Sequence, residues 1–258
     1  MSWGRFVAIG DSFTEGMSDA DPAAENAYVG WADRLAARLA AENASAAKDF
    51  GYANLAVRGR LLGDVVGPQL DAALEMRPDL VSIVGGGNDI LRPKADLDRI
   101  ADRLEEAVIR VRSTGADVLL ATTADPGNAP VLKKVRPRTA IHTANVWAIA
   151  QRQGAHVLDI WSMRVLRDSR MWAADRLHLS TEGHIRVAAQ AWWALGFREG
   201  QRDWTDPLPP APPLSRRDSL QANAVWAKEY LAPWVQRRLQ GRSSGDEVTP
   251  KRPTLGPI

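Results

Sequence analysis

Short apolar runs alternate with longer amphipathic ones along this chain. Phe6-Val7-Ala8-Ile9 has the uninterrupted apolar character of a buried strand. Trp31, Leu35 and Leu39 then recur at a spacing of four, which defines one face of a helix. Asn54 to Val57 predicts a second strand, and Asp64 to Met76 a helix in which Pro68 fits only near the first turn. Asp79 to Val84 predicts a third strand, closed by Gly85-Gly86-Gly87. Leu97, Ile100, Leu104, Val108 and Val111 form a helical stripe, with Asp96 as its N-cap and Gly115 as its stop. Val118 to Ala121 and Val157 to Ile160 predict the fourth and fifth strands, separated by a helix over Arg138 to Gln153 that Gly154 ends. Ser180 or Thr181 caps a last helix carrying Ile185, Ala188, Trp192 and Leu195, with Gly196 beyond its end. Five strand–helix alternations imply a parallel sheet covered on both faces, so the expected fold is a three-layer α/β/α sandwich with a central five-stranded parallel sheet.

The pattern changes after Phe197. Residues 1–200 read as one domain, 201–214 as a Pro-rich linker built around Pro207 to Pro213, 215–240 as an amphipathic helix kinked at Pro233, and 241–258 as a disordered tail. That helix is expected to pack back on the domain, to mediate a homodimer, or to touch a membrane surface. The composition, 45% hydrophobic and 25% charged, is ordinary for a globular protein, and the net charge of +2 falls short of the clustered excess of a nucleic-acid binder. The ten tryptophans read first as packing residues and second as an aromatic platform for an acyl or sugar group. With no cysteine, disulfides, thiolate metal sites and a cysteine nucleophile are excluded. No secretory signal or membrane-spanning run is visible, which makes the cytoplasm the expected location.

Chemistry gathers where the predicted strands end. Gly10-Asp11-Ser12 follows the first strand, and in an open parallel sheet reactive groups collect outside the carboxyl ends of the strands. A serine hydroxyl needs a base within hydrogen-bond reach. Of the four histidines, His142 lies inside a predicted helix, His156 begins a strand at the far end of the sheet, and His184 reads as a helix-surface residue. His178 falls in a loop three residues after Asp175, which can fix its tautomer and stabilise the imidazolium. Asn88 after the third strand, Gly59 after the second and the Ser12 N–H can donate to an oxyanion. Taken singly, each of these residues also fits a plain turn or cap. The basic run Lys133, Lys134 and Arg136 to Arg138 reads as a solvated helix entrance, or as a steering patch for an anionic substrate. Neither a nucleotide-binding glycine pattern nor a histidine metal motif is present, so no cofactor or metal is expected.

Together, Gly10-Asp11-Ser12-Phe13-Thr14-Glu15-Gly16, Asn54 through Gly59, Gly86-Gly87-Asn88-Asp89 and Asp175-Arg176-Leu177-His178 resemble the four blocks of the SGNH/GDSL hydrolase family, in order. The resemblance spans roughly residues 5–196 and departs only at Phe13, where the family's short name has leucine. It implies a flavodoxin-like sheet and an esterase or lipase-like reaction on a small acyl ester. Its triad would be Ser12, His178 and Asp175, its oxyanion hole Ser12, Gly59 and Asn88. A thioesterase or acyltransferase on the same triad, and a non-catalytic binding module retaining the fold, are the alternatives.

Overall fold

A computed structural model describes residues 3–24, 27–129, 132–198, 203–212, 215–240 and 243–258. Strands β1 (Arg5–Ile9), β2 (Gly51–Asn54), β3 (Leu80–Ile83), β4 (Asp117–Ala121) and β5 (His156–Leu158) pair in parallel in the order β5-β4-β3-β1-β2. Strand order reverses between β1 and β3, which opens a crevice above the carboxyl ends of the strands.

The pleat sends alternate side chains to two cores. Phe6, Ala8, Leu80 and Leu119 face α2 (Trp31–Ser45) and α8 (Thr181–Ala194), meeting Trp31, Leu35, Leu39 and Val187. Val7, Ile9, Val81 and Val118 face α4 (Leu70–Glu75), α6 (Leu97–Arg112) and α7 (Arg136–Gln153), meeting Leu70, Leu104, Val108 and Val146. The three-layer sandwich expected from the alternation is therefore the observed architecture.

Three details differ from the sequence reading. The second strand lies three residues earlier than Asn54–Val57, because the Asn54 side chain turns inward: its amide donates to Thr14 O (3.0 Å) and its oxygen accepts from Ala56 N (3.1 Å). The backbone beyond it still runs beside β1, with Leu55 N donating to Ala8 O (2.8 Å) and Val57 N to Gly10 O (3.2 Å). Pro68 lies mid-helix, inside a π-turn (Val65–Gln69) that links the short α3 (Leu62–Asp64) to α4; a widened turn accommodates the missing N–H.

The third difference is the C-terminus. Residues 252–256, expected in a disordered tail, form β6 (Arg252–Gly256), which pairs antiparallel with β2 and covers what would otherwise be an open sheet edge. Lys251 anchors it by donating to Glu15 O (2.6 Å), Tyr28 O (3.0 Å) and the Asp33 carboxylate (2.6 Å). A half-buried lysine with three oxygen partners holds the segment more firmly than its polar composition suggests. Residues 241 and 242, and 201, 202, 213 and 214 of the linker, lie outside the described residues. Helices α9 (Arg216–Trp226) and α10 (Ala232–Leu239), joined by a π-turn (Ala227–Leu231), bridge linker and tail.

Candidate active site

The nucleophile candidate is positioned by the exit from β1. Gly10 has both backbone groups bonded by one side chain: its N–H donates to Gln69 Oε1 (2.8 Å) and its carbonyl accepts from Gln69 Nε2 (3.0 Å). A Cβ here would come within 2.6 Å of Thr14 Oγ1, so only glycine fits. Asp11 then caps α1 (Ser12–Glu15), accepting from Phe13 N at 3.1 Å, which makes Ser12 the first residue of that helix and leaves it half-exposed in the crevice. Phe13 packs its ring toward Trp31 (5.9 Å) and His184 (6.2 Å), so the aromatic side chain in the family's leucine position is housed by the core.

The candidate acid–base pair sits on a small hairpin. Trp172 and Leu179 bridge antiparallel, and Ala173 N donates to His178 O at 2.8 Å. Asp175 Oδ1 accepts from the N–H of Leu177 (2.9 Å) and of His178 (3.0 Å), and its Oδ2 lies 2.6 Å from His178 Nδ1. Burial alone would raise the Asp175 pKa, but the hydrogen bond and charge of His178 and the two backbone donors together hold it below the usual carboxylate value. An ionised Asp175 selects the tautomer with the proton on Nδ1, leaving Nε2 to act as a base.

The candidate oxyanion donors lie in the segments after β2 and β3. Asn88, in α5 (Gly87–Ile90), donates through Nδ2 to Asp11 Oδ2 (3.2 Å) and to Arg60 O (3.0 Å), tying the segments after β1, β2 and β3 together. Both protons of the amide are thus engaged. The neighbouring Asp89 accepts from Leu62 N at 2.9 Å. Gly59 adopts φ 73°, a left-handed conformation, and a Cβ on it would lie 2.1 Å from Ser243 Oγ of the C-terminal segment. Gly86 adopts φ 91°, and a Cβ there would come within 2.8 Å of the His142 ring. Burial raises the Asp11 pKa to about 6, opposed by the Phe13 N–H and by the charge of His178. Among the described residues, Ser12 Oγ and the His178 ring share no direct hydrogen bond.

The sequence offered no signal for several supporting residues. Gln69 is one. Buried Glu15, inside the first block but with no role assigned there, accepts from Arg58 N (2.7 Å) and pairs with the Arg58 guanidinium, holding the turn that leads to Gly59. His184 proves buried rather than superficial, with Nδ1 accepting from Trp31 N at 3.2 Å. The basic run before α7 is partly consumed in structure: Arg136 pairs with Asp125 (2.6 Å), and Arg138 donates to the carbonyls of Arg92, Pro93 and Ala95.

Three kinds of comparison bear on this site. Residues 8–186 match the model of the GDSL-like Lipase/Acylhydrolase family. No curated protein matches the chain. Among solved structures, Axe2, an acetylxylan esterase from Geobacillus stearothermophilus, superposes with a TM-score of 0.63 at 21% identity, covering 80% of this chain and 99% of that one. TesA superposes at 0.58 and 22% identity, covering 74% and 97%. The esterase EstA from Pseudoalteromonas sp. does so at 0.57 and 19%, covering 74% and 95%. At these identities the superpositions establish a shared fold, while the family match includes the nucleophile block and the acid–base hairpin alike. The chain belongs to the GDSL-like Lipase/Acylhydrolase family and is an ester hydrolase.

Proposed function

We propose that the protein hydrolyses a carboxylic ester through an acyl-enzyme on Ser12. The observation that supports this reading is the Asp175–His178 pair, 2.6 Å apart, in a chain whose Ser12 opens a helix directly after the first strand. His178 Nε2 takes the proton of Ser12 Oγ as the hydroxyl attacks the carbonyl carbon. Charge develops on the carbonyl oxygen, and the N–H groups of Ser12 and Gly59 with the Asn88 amide stabilise it. Asn88 reaches that role by exchanging its longer bond, the one to Asp11, for one to the substrate. His178 then protonates the leaving alcohol, and water activated by the same imidazole releases the acid. Asp175 orients the ring and stabilises its cation throughout.

A panel of p-nitrophenyl esters from acetate to octanoate, together with an acyl-CoA, tests the proposal and separates oxygen esters from thioesters. Turnover that persists undiminished in Ser12→Ala overturns it. So does failure of a fluorophosphonate probe to label Ser12, the result expected of a binding module.

A further inference from the structure

The acid–base hairpin carries an anomaly. Arg176, between Asp175 and His178, adopts φ 57°, a conformation that L-residues with a full side chain rarely take. Its side chain does not extend into solvent. Nη1 donates to Asn223 Oδ1 (2.6 Å), Nη2 to Ala222 O (3.4 Å), and the guanidinium lies 5.2 Å from the centre of the Trp226 ring. The Trp226 indole N–H in turn donates to the backbone carbonyl of Asp175 at 2.8 Å. All four contacts come from α9, beyond residue 186, where the family match ends. They converge on the two residues whose backbone sets where the Asp175 carboxylate points.

We infer that Trp226 and Arg176 are positioning residues for the Asp175–His178 pair, and that α9 is a brace holding the acid–base hairpin in its working geometry. The inference rests on the function proposed above. The hairpin's own bonds, from Leu177 N and His178 N to Asp175 Oδ1, fix the turn internally but do not orient it relative to the rest of the molecule. The indole bond and the Arg176 grip supply that orientation from outside. A brace of this kind acts on the rate of the bound complex and leaves affinity for a small ester nearly untouched.

The test uses the full chain, with fluorophosphonate titration to count active sites and p-nitrophenyl acetate to read kcat and KM per titrated site. Trp226→Phe keeps a ring against Arg176 and deletes only the N–H donor. Arg176→Gly keeps the positive φ and deletes the grip. Each is expected to lower kcat per site by about tenfold, within the range that small misplacements of catalytic groups produce, while KM changes less than about twofold. The double variant is expected to lose little more than either single, because both act on one hairpin. Leu220→Ala, on the same helix but 70% exposed, is expected to match wild type. If Trp226→Phe folds poorly, Arg176→Lys reports in its place, since lysine cannot reproduce the two-pronged grip. Wild-type kcat per site in Trp226→Phe and Arg176→Gly, even with a lower melting temperature, overturns the brace. Full activity in Ser12→Ala would instead overturn the underlying mechanism, so the two failures are distinct.

Discussion

Asp11 shows how one residue can serve two opposed demands. Its carboxylate caps α1 and receives the Asn88 amide, yet burial raises its pKa to about 6, so the charged form that prevails at neutral pH costs more in the folded state than in the unfolded chain. The ordinary value of 3.8 belongs to the unfolded chain, so the folded state binds the extra proton between pH 3.8 and about 6. The cost of the buried charge is therefore absent below pH 3.8 and complete above about 6, where two pKa units correspond to roughly 3 kcal/mol. Asp11→Asn keeps the cap on Phe13 N and removes the charge, but loses the oxygen that accepts from Asn88. Its urea midpoint relative to wild type is expected to be higher at pH 8 than at pH 4, because only the wild type carries the buried charge at pH 8; equal shifts at both would contradict this account. For the chemistry itself, Ser12→Ala and His178→Ala are expected to reduce kcat by on the order of 10⁶. Asn88→Ala should cost about 10² to 10³, and Asp175→Asn less than loss of Ser12 or His178, all read as single-site turnover of p-nitrophenyl acetate.

At the scale of elements, the glycines after the strands are set by their neighbours. Gly59→Ala and Gly86→Ala each combine a positive φ with a collision, against Ser243 Oγ in one case and the His142 ring in the other. Each is expected to destabilise by about 1–2 kcal/mol from the backbone alone and to lower activity. The same elements mark how far the sequence could be read. Continuous apolar strands and stripes at spacings of three and four identified both cores, because burial leaves a periodic trace. Ser12, Gly59 and Asn88 were legible because each sits in a short block after a strand, and the Asp175–His178 spacing because it stands in a short block just before the last helix. Gln69 and Glu15 were not, since a polar side chain that bonds a distant backbone leaves no local pattern. Among the tryptophans, the packing reading fits Trp3 and Trp31, which are buried, and Trp172, whose indole donates to Leu166 O at 2.6 Å. Tail residues 252–256 looked disordered because their order comes from β2 and from Lys251, neither of which composition reveals.

For the molecule as a whole, two buried histidines set the response to acid. Desolvation lowers the pKa of His142 to about 4, against the pull of Gly85, and that of His184 to about 4, against Asp19 and Met17. Both stay neutral in the folded state while the unfolded chain protonates near pH 6.5, so their contribution is complete above 6.5 and fades as pH falls toward 4. Each is worth roughly 3 kcal/mol, and Asp11 offsets about one of them over the same interval, leaving a net loss of about 3 kcal/mol. Asp125, held at about 2 by Arg136 and Arg167, contributes only below that window. Unfolding free energies from urea titrations at pH 7, 5.5 and 4.5 should fall in that order; a flat series would remove the histidines from the account. No helix among the described residues is long and apolar enough to cross a membrane.

The anchoring of Lys251 joins the end of the chain to its beginning: its ammonium lies on the carbonyl that closes the helix started by Ser12, and Ser243 rests on Gly59. During synthesis, every other part of the crevice can assemble before this contact exists. These contacts form only once residues 243 to 251 have emerged, so a nascent or prematurely terminated chain would carry Ser12 and Gly59 without them.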